Sequence, residues 1–341
     1  MSKQELGQFY TTNCETILEG ITIPEDVSII VEPFAGNGDL INFLGDTKYE
    51  LECYDIEPKQ SYITKRDTLK NPPIYTDKFI LTNPPYLARN KNPNKEYYDK
   101  YNTNDLYKCF LIELIENTPS GGIVIIPTNF LCSIRKSDME LRKRFVAVFD
   151  IIKVNIFETQ VFDDTSYAIC AILFAKKTTE TIDTKIIFYP SKITIDVLLT
   201  SENNYTVGGE VYNIKPSKKY KIDRLTTRNK DIVENHTNIY LKTIDSNSKN
   251  MLCVEYNEER YIDETPRLTA RSFATLMITP PIDMDTQQKV VSLFNSYLTE
   301  KRTQYNSLFL TNYRDNSDIP RKRISFRLAY NLVGHILETQ I

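Results

Sequence analysis

Histidine and clustered cysteine are scarce. The chain has 341 residues, two histidines (His236 and His335) and six cysteines (Cys14, Cys53, Cys109, Cys132, Cys170 and Cys253), with no Cys-x-x-Cys pair. Zinc and similar centres need clustered ligands, so no metal site is expected and the thiols read as reduced and mostly buried. Long apolar runs are absent too. The longest, Tyr167 to Ala175, has strand length and falls far short of the ~20 residues of a membrane span. The first ten residues, MSKQELGQFY, lack the apolar segment of a secretory leader. A cytoplasmic protein is expected. Nor is the chain a polycation, because its formal net charge is -3.

Charge is instead local. Lys215–Lys230 holds seven Lys/Arg against one acid, Asp223, and Lys301–Arg327 holds seven against two, Asp315 and Asp318. A single such run is usually a solvated face. Two in one half of an acidic chain favour a polyanionic partner.

The first half alternates strand and helix patterns. Apolar strands are expected at Val27–Val31, Tyr49–Tyr54, Phe79–Leu81, Ile123–Ile126, Ile151–Phe157 and Tyr167–Phe174. Asp105–Glu116 has helical spacing, and Pro119-Ser120-Gly121-Gly122 breaks it. Such short apolar strands imply a Rossmann-like α/β sheet of parallel type with helices on both faces. After Lys177 the texture turns to Asn, Lys, Thr and Tyr, with later helices at Asp285–Tyr297 and Phe326–Leu337. Two domains, 1–177 and 178–341, are expected, the second of α+β type.

The strand Ile29–Val31 runs into Glu32-Pro33-Phe34-Ala35-Gly36-Asn37-Gly38-Asp39. Gly36 and Gly38 permit a tight turn where backbone approaches a ligand. The pattern is neither G-x-G-x-x-G nor a P-loop, which counts against a phosphate cradle. The next strand ends at Asp55-Ile56-Glu57. A carboxylate there suits a ribose diol, with Asp55 preferred over Glu57. Asp67 could accept from an adenine amino group.

Asn83-Pro84-Pro85-Tyr86 follows a third strand, 51 residues after Glu32. The two prolines fix the backbone and present carbonyls rigidly. An exocyclic aromatic amine is a poor nucleophile because its lone pair is delocalised. Hydrogen bonds from its two N–H groups to Asn83 Oδ1 and the Pro84 carbonyl would localise that pair. Such a site works by positioning and needs no histidine. Tyr86 offers a ring to a target base; such stacking is worth about 1–3 kcal/mol and helps offset base extrusion.

These residues resemble the N6-adenine DNA methyltransferases of restriction-modification systems. Leu6–Thr12 looks like the family's N-terminal cofactor motif, Val31–Leu40 like its glycine turn, and Asn83–Tyr86 matches its catalytic motif. The order is that of the gamma subclass, in which a large C-terminal part recognises the DNA sequence. The resemblance implies S-adenosylmethionine as cofactor, held by Phe9, Tyr10, Thr11, Glu32, Pro33, Phe34, Ala35, Gly36, Gly38, Asp55, Ile56, Asp67, Thr68, Asn83 and Pro85. It implies that Tyr86 and Phe162 clamp the flipped adenine. It covers roughly residues 6–177.

Double-stranded DNA is the expected partner. The loop after Tyr86 supplies Arg89, Lys91 and Lys95 as contacts; the C-terminal half supplies Lys218, Lys219, Lys221 and the patch Arg321-Lys322-Arg323. The nearest alternatives are an RNA adenine or a protein glutamine methyltransferase, because a planar amide poses the same chemical problem. In the release-factor enzymes, however, the extra domain precedes the catalytic half. N4-cytosine enzymes usually begin the motif with Ser or Thr instead of Asn83. No fused nuclease motif stands out, so any restriction endonuclease would be a separate protein.

Overall fold

The computed structural model describes residues 13–45, 48–159, 168–178, 182–245, 251–264, 272–315 and 320–341; at 312–315 and 320–321 it describes backbone only. The chain divides into two compact units, Met1–Tyr205 and Thr206–Ile341.

In the first unit the order is α1 (Cys14–Ile17), β1 (Ile29–Glu32), α2 (Asp39–Leu44), β2 (Glu50–Asp55), β3 (Thr64–Lys65), β4 (Phe79–Thr82), α3 (Glu96–Lys100), α4 (Leu106–Glu116), β5 (Gly121–Pro127), α5 (Asn129–Cys132), α6 (Lys136–Val148), β6 (Phe149–Phe157), β7 (Ile169–Lys176), β8 (Thr184–Tyr189) and β9 (Thr194–Val197). The strands form one sheet in the order β3-β2-β1-β4-β5-β7-β6-β8-β9. Every residue of β4 and β5 is buried, so both faces are covered there.

The sheet is mixed rather than parallel throughout. β1 to β5 run parallel, while β7 is antiparallel to both β5 and β6. The physical reason is connection length: parallel neighbours need a crossover, whereas β6 and β7 follow one another without a helix described between them. The unit also extends past residue 177. β8 pairs with β6 and β9 with β8, so the division falls after Tyr205. Thr184–Tyr189 and Thr194–Val197, within that polar stretch, are the outer strands of the sheet.

α4 is buried over nearly its whole surface. Its charges are paired: Lys108 Nζ lies 2.5 Å from Asp138 Oδ1 on α6, and Tyr101 donates to Glu113 at 2.6 Å. Five of the six cysteines are buried and all are free thiols. Among the described residues no helix is long and apolar enough to cross a membrane, and no three metal-ligating side chains cluster.

The second unit is α+β. Strands β10 (Lys221–Arg224), β11 (His236–Lys242), β12 (Cys253–Tyr256) and β13 (Phe273–Thr279) form an antiparallel sheet ordered β10-β13-β11-β12. Helix α7 (Met284–Tyr305) starts at Asp283, which accepts from Thr286 N; a hairpin of β14 (Thr311–Asp315) and β15 (Pro320–Arg323) follows, and Ser325 caps α8 (Phe326–Thr339). Leu328, Leu332, Val333 and Ile336 of α8 join Val290, Phe294 and Leu298 of α7 against Ile239, Leu276 and Ile278 in one core.

Candidate active site

Chain direction in the sheet fixes where chemistry gathers. From β1 the chain proceeds to β2 on one side, and β4 pairs on the other. The parallel registers Glu32↔Cys53 and Val31↔Ile80 bring the turns after β1, β2 and β4 to one edge. Open α/β sheets bind ligands at such a switch point, beyond the carboxyl ends of the strands.

The glycine turn is built tightly. Gly36 and Gly38 have φ of 54° and 84°. The left-handed conformation demands glycine at Gly38, and the Tyr62 hydroxyl lies close against it. Ala35 N donates to Tyr54 O, and Gly36 N donates to Asp55 Oδ2 at 2.8 Å. Glu57 N donates to Asp55 Oδ1 at 2.8 Å. The buried Asp55 therefore ties the two turns together, while Glu57 and Ile56 are exposed. The segment after β3 joins them: Thr68 Oγ1 donates to the Pro33 carbonyl at 3.0 Å. Asp67 accepts from Lys70 N at 3.1 Å and from the Tyr97 hydroxyl at 2.6 Å. Phe34 packs edge-on against Phe110 of α4, with ring centres 5.0 Å apart.

Three carboxylates crowd this turn. Burial, then the charges of Asp39 and Asp55, push the Glu32 carboxyl well above the usual carboxylate range. Glu32 is buried and its Oε2 has no hydrogen-bond partner among the described residues. Such a site disfavours anions and favours a cation. The raised value also sets a pH dependence. Glu32 keeps its proton in the fold longer than in the unfolded chain, so ligand-free stability falls as pH climbs from the ordinary value of 4.5 through the folded one. In Glu32→Gln that part of the slope should vanish and the melting temperature at neutral pH should rise. A lower Tm in Gln than in the parent at neutral pH would show that Glu32 is satisfied as a carboxylate.

At the end of β4, Asn83 and Pro85 are half-buried and Pro84 is buried. Tyr86 is 3% exposed and its ring meets Tyr107 edge-on at 6.2 Å. Its face is thus turned into the protein rather than offered to solvent. The Tyr86 hydroxyl lies 2.6 Å from the Ile125 carbonyl on β5 and reaches Asn83 Oδ1. One O–H proton serves one acceptor well. The carbonyl can only accept, so it has first claim on the proton. The two ends of an amide occupy nearly the same space, and Asn83 satisfies the Tyr86 oxygen best with its NH2. Local periodicity cannot reveal this contact, because Ile125 lies on another strand.

Asp105 is a further residue that sequence reasoning passed over. It bridges to Ala88 in the loop after Tyr86 and stands just before α4. Burial, partly opposed by Lys108, pushes its carboxyl up to about 6. Its only sequence signal was its place as the first residue of the helical run Asp105–Glu116.

The loop cations are largely spent within the loop. Arg89 pairs with Asp99 at 2.7 Å, and Lys95 Nζ donates to the Arg89 and Asn92 carbonyls. Lys91 remains exposed. The hairpin patch is corrected most sharply. Lys322 is 7% exposed and stands beside the buried Asp245, whose backbone N donates to the Lys322 carbonyl. Arg323 is half-buried, and the Arg321 side chain lies outside the described residues. Lys218, Lys219 and Lys221 are exposed. Phe9, Tyr10, Thr11 and Phe162 lie outside the described residues.

The N-6 DNA Methylase family profile matches residues 47–264. The chain belongs to the N-6 DNA methylase family. Within this family member the match takes in the strand ending at Asp55, the whole Asn83–Tyr86 segment and most of the second unit's sheet. No curated protein matches in sequence. Among solved structures, the chain is similar to the methyltransferase subunit of a type I restriction-modification system from Streptococcus thermophilus (14% identity, 54% of this chain, 49% of that one, TM-score 0.39). It is also similar to the type IIG restriction endonuclease BpuSI (16%, 70% and 38%, TM-score 0.41) and to the type ISP restriction-modification enzyme LlaGI bound to a DNA substrate mimic (14%, 70% and 34%, TM-score 0.40). The chain spans about half the length of the first of these and less of the others.

Proposed function

We propose that this N-6 DNA methylase family member transfers a methyl group from S-adenosylmethionine to the N6 amine of an adenine extruded from double-stranded DNA. It would act in the cytoplasm, protecting DNA beside a separately encoded restriction endonuclease. The observation that carries this reading is the shared edge: the acid-rich glycine turn and Asn83-Pro84-Pro85-Tyr86 leave the sheet side by side at its switch point.

The residues present fit the cofactor. Glu32, Asp39 and Asp55 make the glycine turn electronegative, which suits a sulfonium and an ammonium and does not suit a pyrophosphate. Asp55 and Asp67 are the carboxylates for ribose and adenine, Phe34 and Ile56 the apolar walls, with Pro33, Ala35, Thr68 and Pro85 around them. When bound, the cofactor supplies the electrophilic methyl group. Binding of a cation favours the Glu32 carboxylate, so affinity should rise with pH through its raised value.

Asn83 Oδ1 and the Pro84 carbonyl accept from the adenine N–H groups and localise the nitrogen lone pair. Tyr86 acts here through its hydroxyl as a positioning residue, setting which end of the Asn83 amide faces the substrate. Tyr86→Phe keeps the ring and removes the oxygen. It should lower kcat by about tenfold, the effect of ~1.4 kcal/mol, with little change in KM for DNA. Full activity in Tyr86→Phe would remove the Tyr86 hydroxyl from the reaction. The second unit then holds the duplex and reads its sequence.

Labelled-methyl transfer to mixed duplex DNA, structured RNA and protein, with the labelled base identified, tests the reading. Label on N6-methyladenine in duplex DNA is expected. Label on RNA or protein alone overturns the substrate.

A further inference from the structure

A groove of about 640 Å3 runs across the second unit. Its walls are the segment 216–220, the edge strand β10 and one face of α8. Four cations line it, Lys218, Lys219, Lys221 and Arg327, with no carboxylate among the lining residues. All four are exposed, and none forms an ion pair among the described residues.

The groove is braced. Glu338 Oε1 accepts from Ser217 Oγ at 2.6 Å and from Lys218 N and Lys219 N at 2.9 Å each. Its charge is thereby directed onto the backbone of the 217–219 turn. Gly334 lets that turn lie directly on α8, since a Cβ there would be 2.7 Å from Ser217 Cβ. The opposite wall is aromatic. Tyr330 stacks on Phe326, with centres 5.7 Å apart and planes at 7°, and the Arg224 guanidinium covers Phe326 at 5.5 Å. The amide of Asn331 donates to the Ile214 carbonyl at 2.8 Å and holds the far end of the turn.

A concave surface lined by four exposed cations, with its backbone fixed by Glu338 and Lys219 resting over the Tyr220 ring, matches a polyanion with closely spaced charges. Duplex DNA carries one negative charge per ~1.7 Å of axis. An acidic protein segment would need the carboxylates of a flexible chain to be ordered first, and the family of this chain acts on DNA. We infer that this groove seats the sugar–phosphate backbone of duplex DNA, with Lys218, Lys219, Lys221 and Arg327 as phosphate contacts. The inference rests on the proposed DNA substrate. It moves the main backbone contact away from the 321–323 hairpin.

The test is the salt dependence of affinity, measured by fluorescence anisotropy with the full chain and a labelled duplex. Each phosphate contact contributes about 0.9 to the slope of log K against log salt. The variant Lys218→Gln/Lys219→Gln/Lys221→Gln/Arg327→Gln should lose about 3–4 of that slope, and Lys218→Gln/Arg327→Gln about half as much. All four side chains are exposed, so the thermal unfolding curve should stay put. A parent chain that binds duplex DNA alongside a quadruple variant of unchanged slope overturns the groove alone. A parent that binds no duplex, or prefers structured RNA, overturns the DNA substrate and the groove together.

Discussion

Asn83→Ala should abolish methyl transfer while leaving S-adenosylmethionine binding nearly intact. The side chain has one task in the proposed chemistry: its amide oxygen accepts from the adenine amine as the lone pair localises. Its partner, the Pro84 carbonyl, is backbone and survives the substitution. Loss of one positioned acceptor in a preorganised site costs about 10²–10³ in rate. The measurement is a single-turnover rate on duplex DNA beside calorimetric cofactor binding. Cofactor binding that collapses with the rate would assign Asn83 to holding the cofactor. An unaffected rate would remove it from the reaction.

The second large effect concerns stability. Arg142 on α6 is fully buried. Its guanidinium donates to the carbonyls of Phe130 at 2.7 Å, Ser133 at 2.6 Å and Tyr205 at 2.7 Å. Burial pulls its pKa down to about 10, so the charge persists at neutral pH. Arg142→Met keeps much of the volume and strands three carbonyls without their donor. At roughly 1–3 kcal/mol per lost partner, partly relieved by relaxation, the loss is about 3–5 kcal/mol. For a unit of this size that lowers Tm by roughly 10 °C. Thermal unfolding checks it, and a shift under about 2 °C would mean that those carbonyls find other partners.

Several elements were legible because their signals are local. The strands ending at Glu32, Asp55 and Thr82 come within a few residues of expectation, since apolar runs and turn residues sit next to each other in the chain. α4 and α8 likewise carry their periodicity within a dozen residues. The glycine turn was visible from Gly36 and Gly38, and both take the left-handed conformation.

What failed to show depended on partners far along the chain. The charge run 321–323 looked like one surface patch. Strand pairing in β15 gives successive side chains opposite faces, and Lys322 goes inward beside Asp245. The end of the first unit was set too early, because β8 belongs with β6 only through pairing across the sheet. Tyr86 was placed by its motif, yet Tyr107 and Ile125 decide which way its ring and hydroxyl face. Arg142 carried no signal at all.

The sequence alone determined which residue types stand at the strand ends, because a turn, a proline pair and a strand each depend on neighbours in the chain. Only the tertiary structure decided which charges stay in water. Burial is set by whichever distant strand or helix covers a residue, and the free energy of moving a charge out of water depends on that cover.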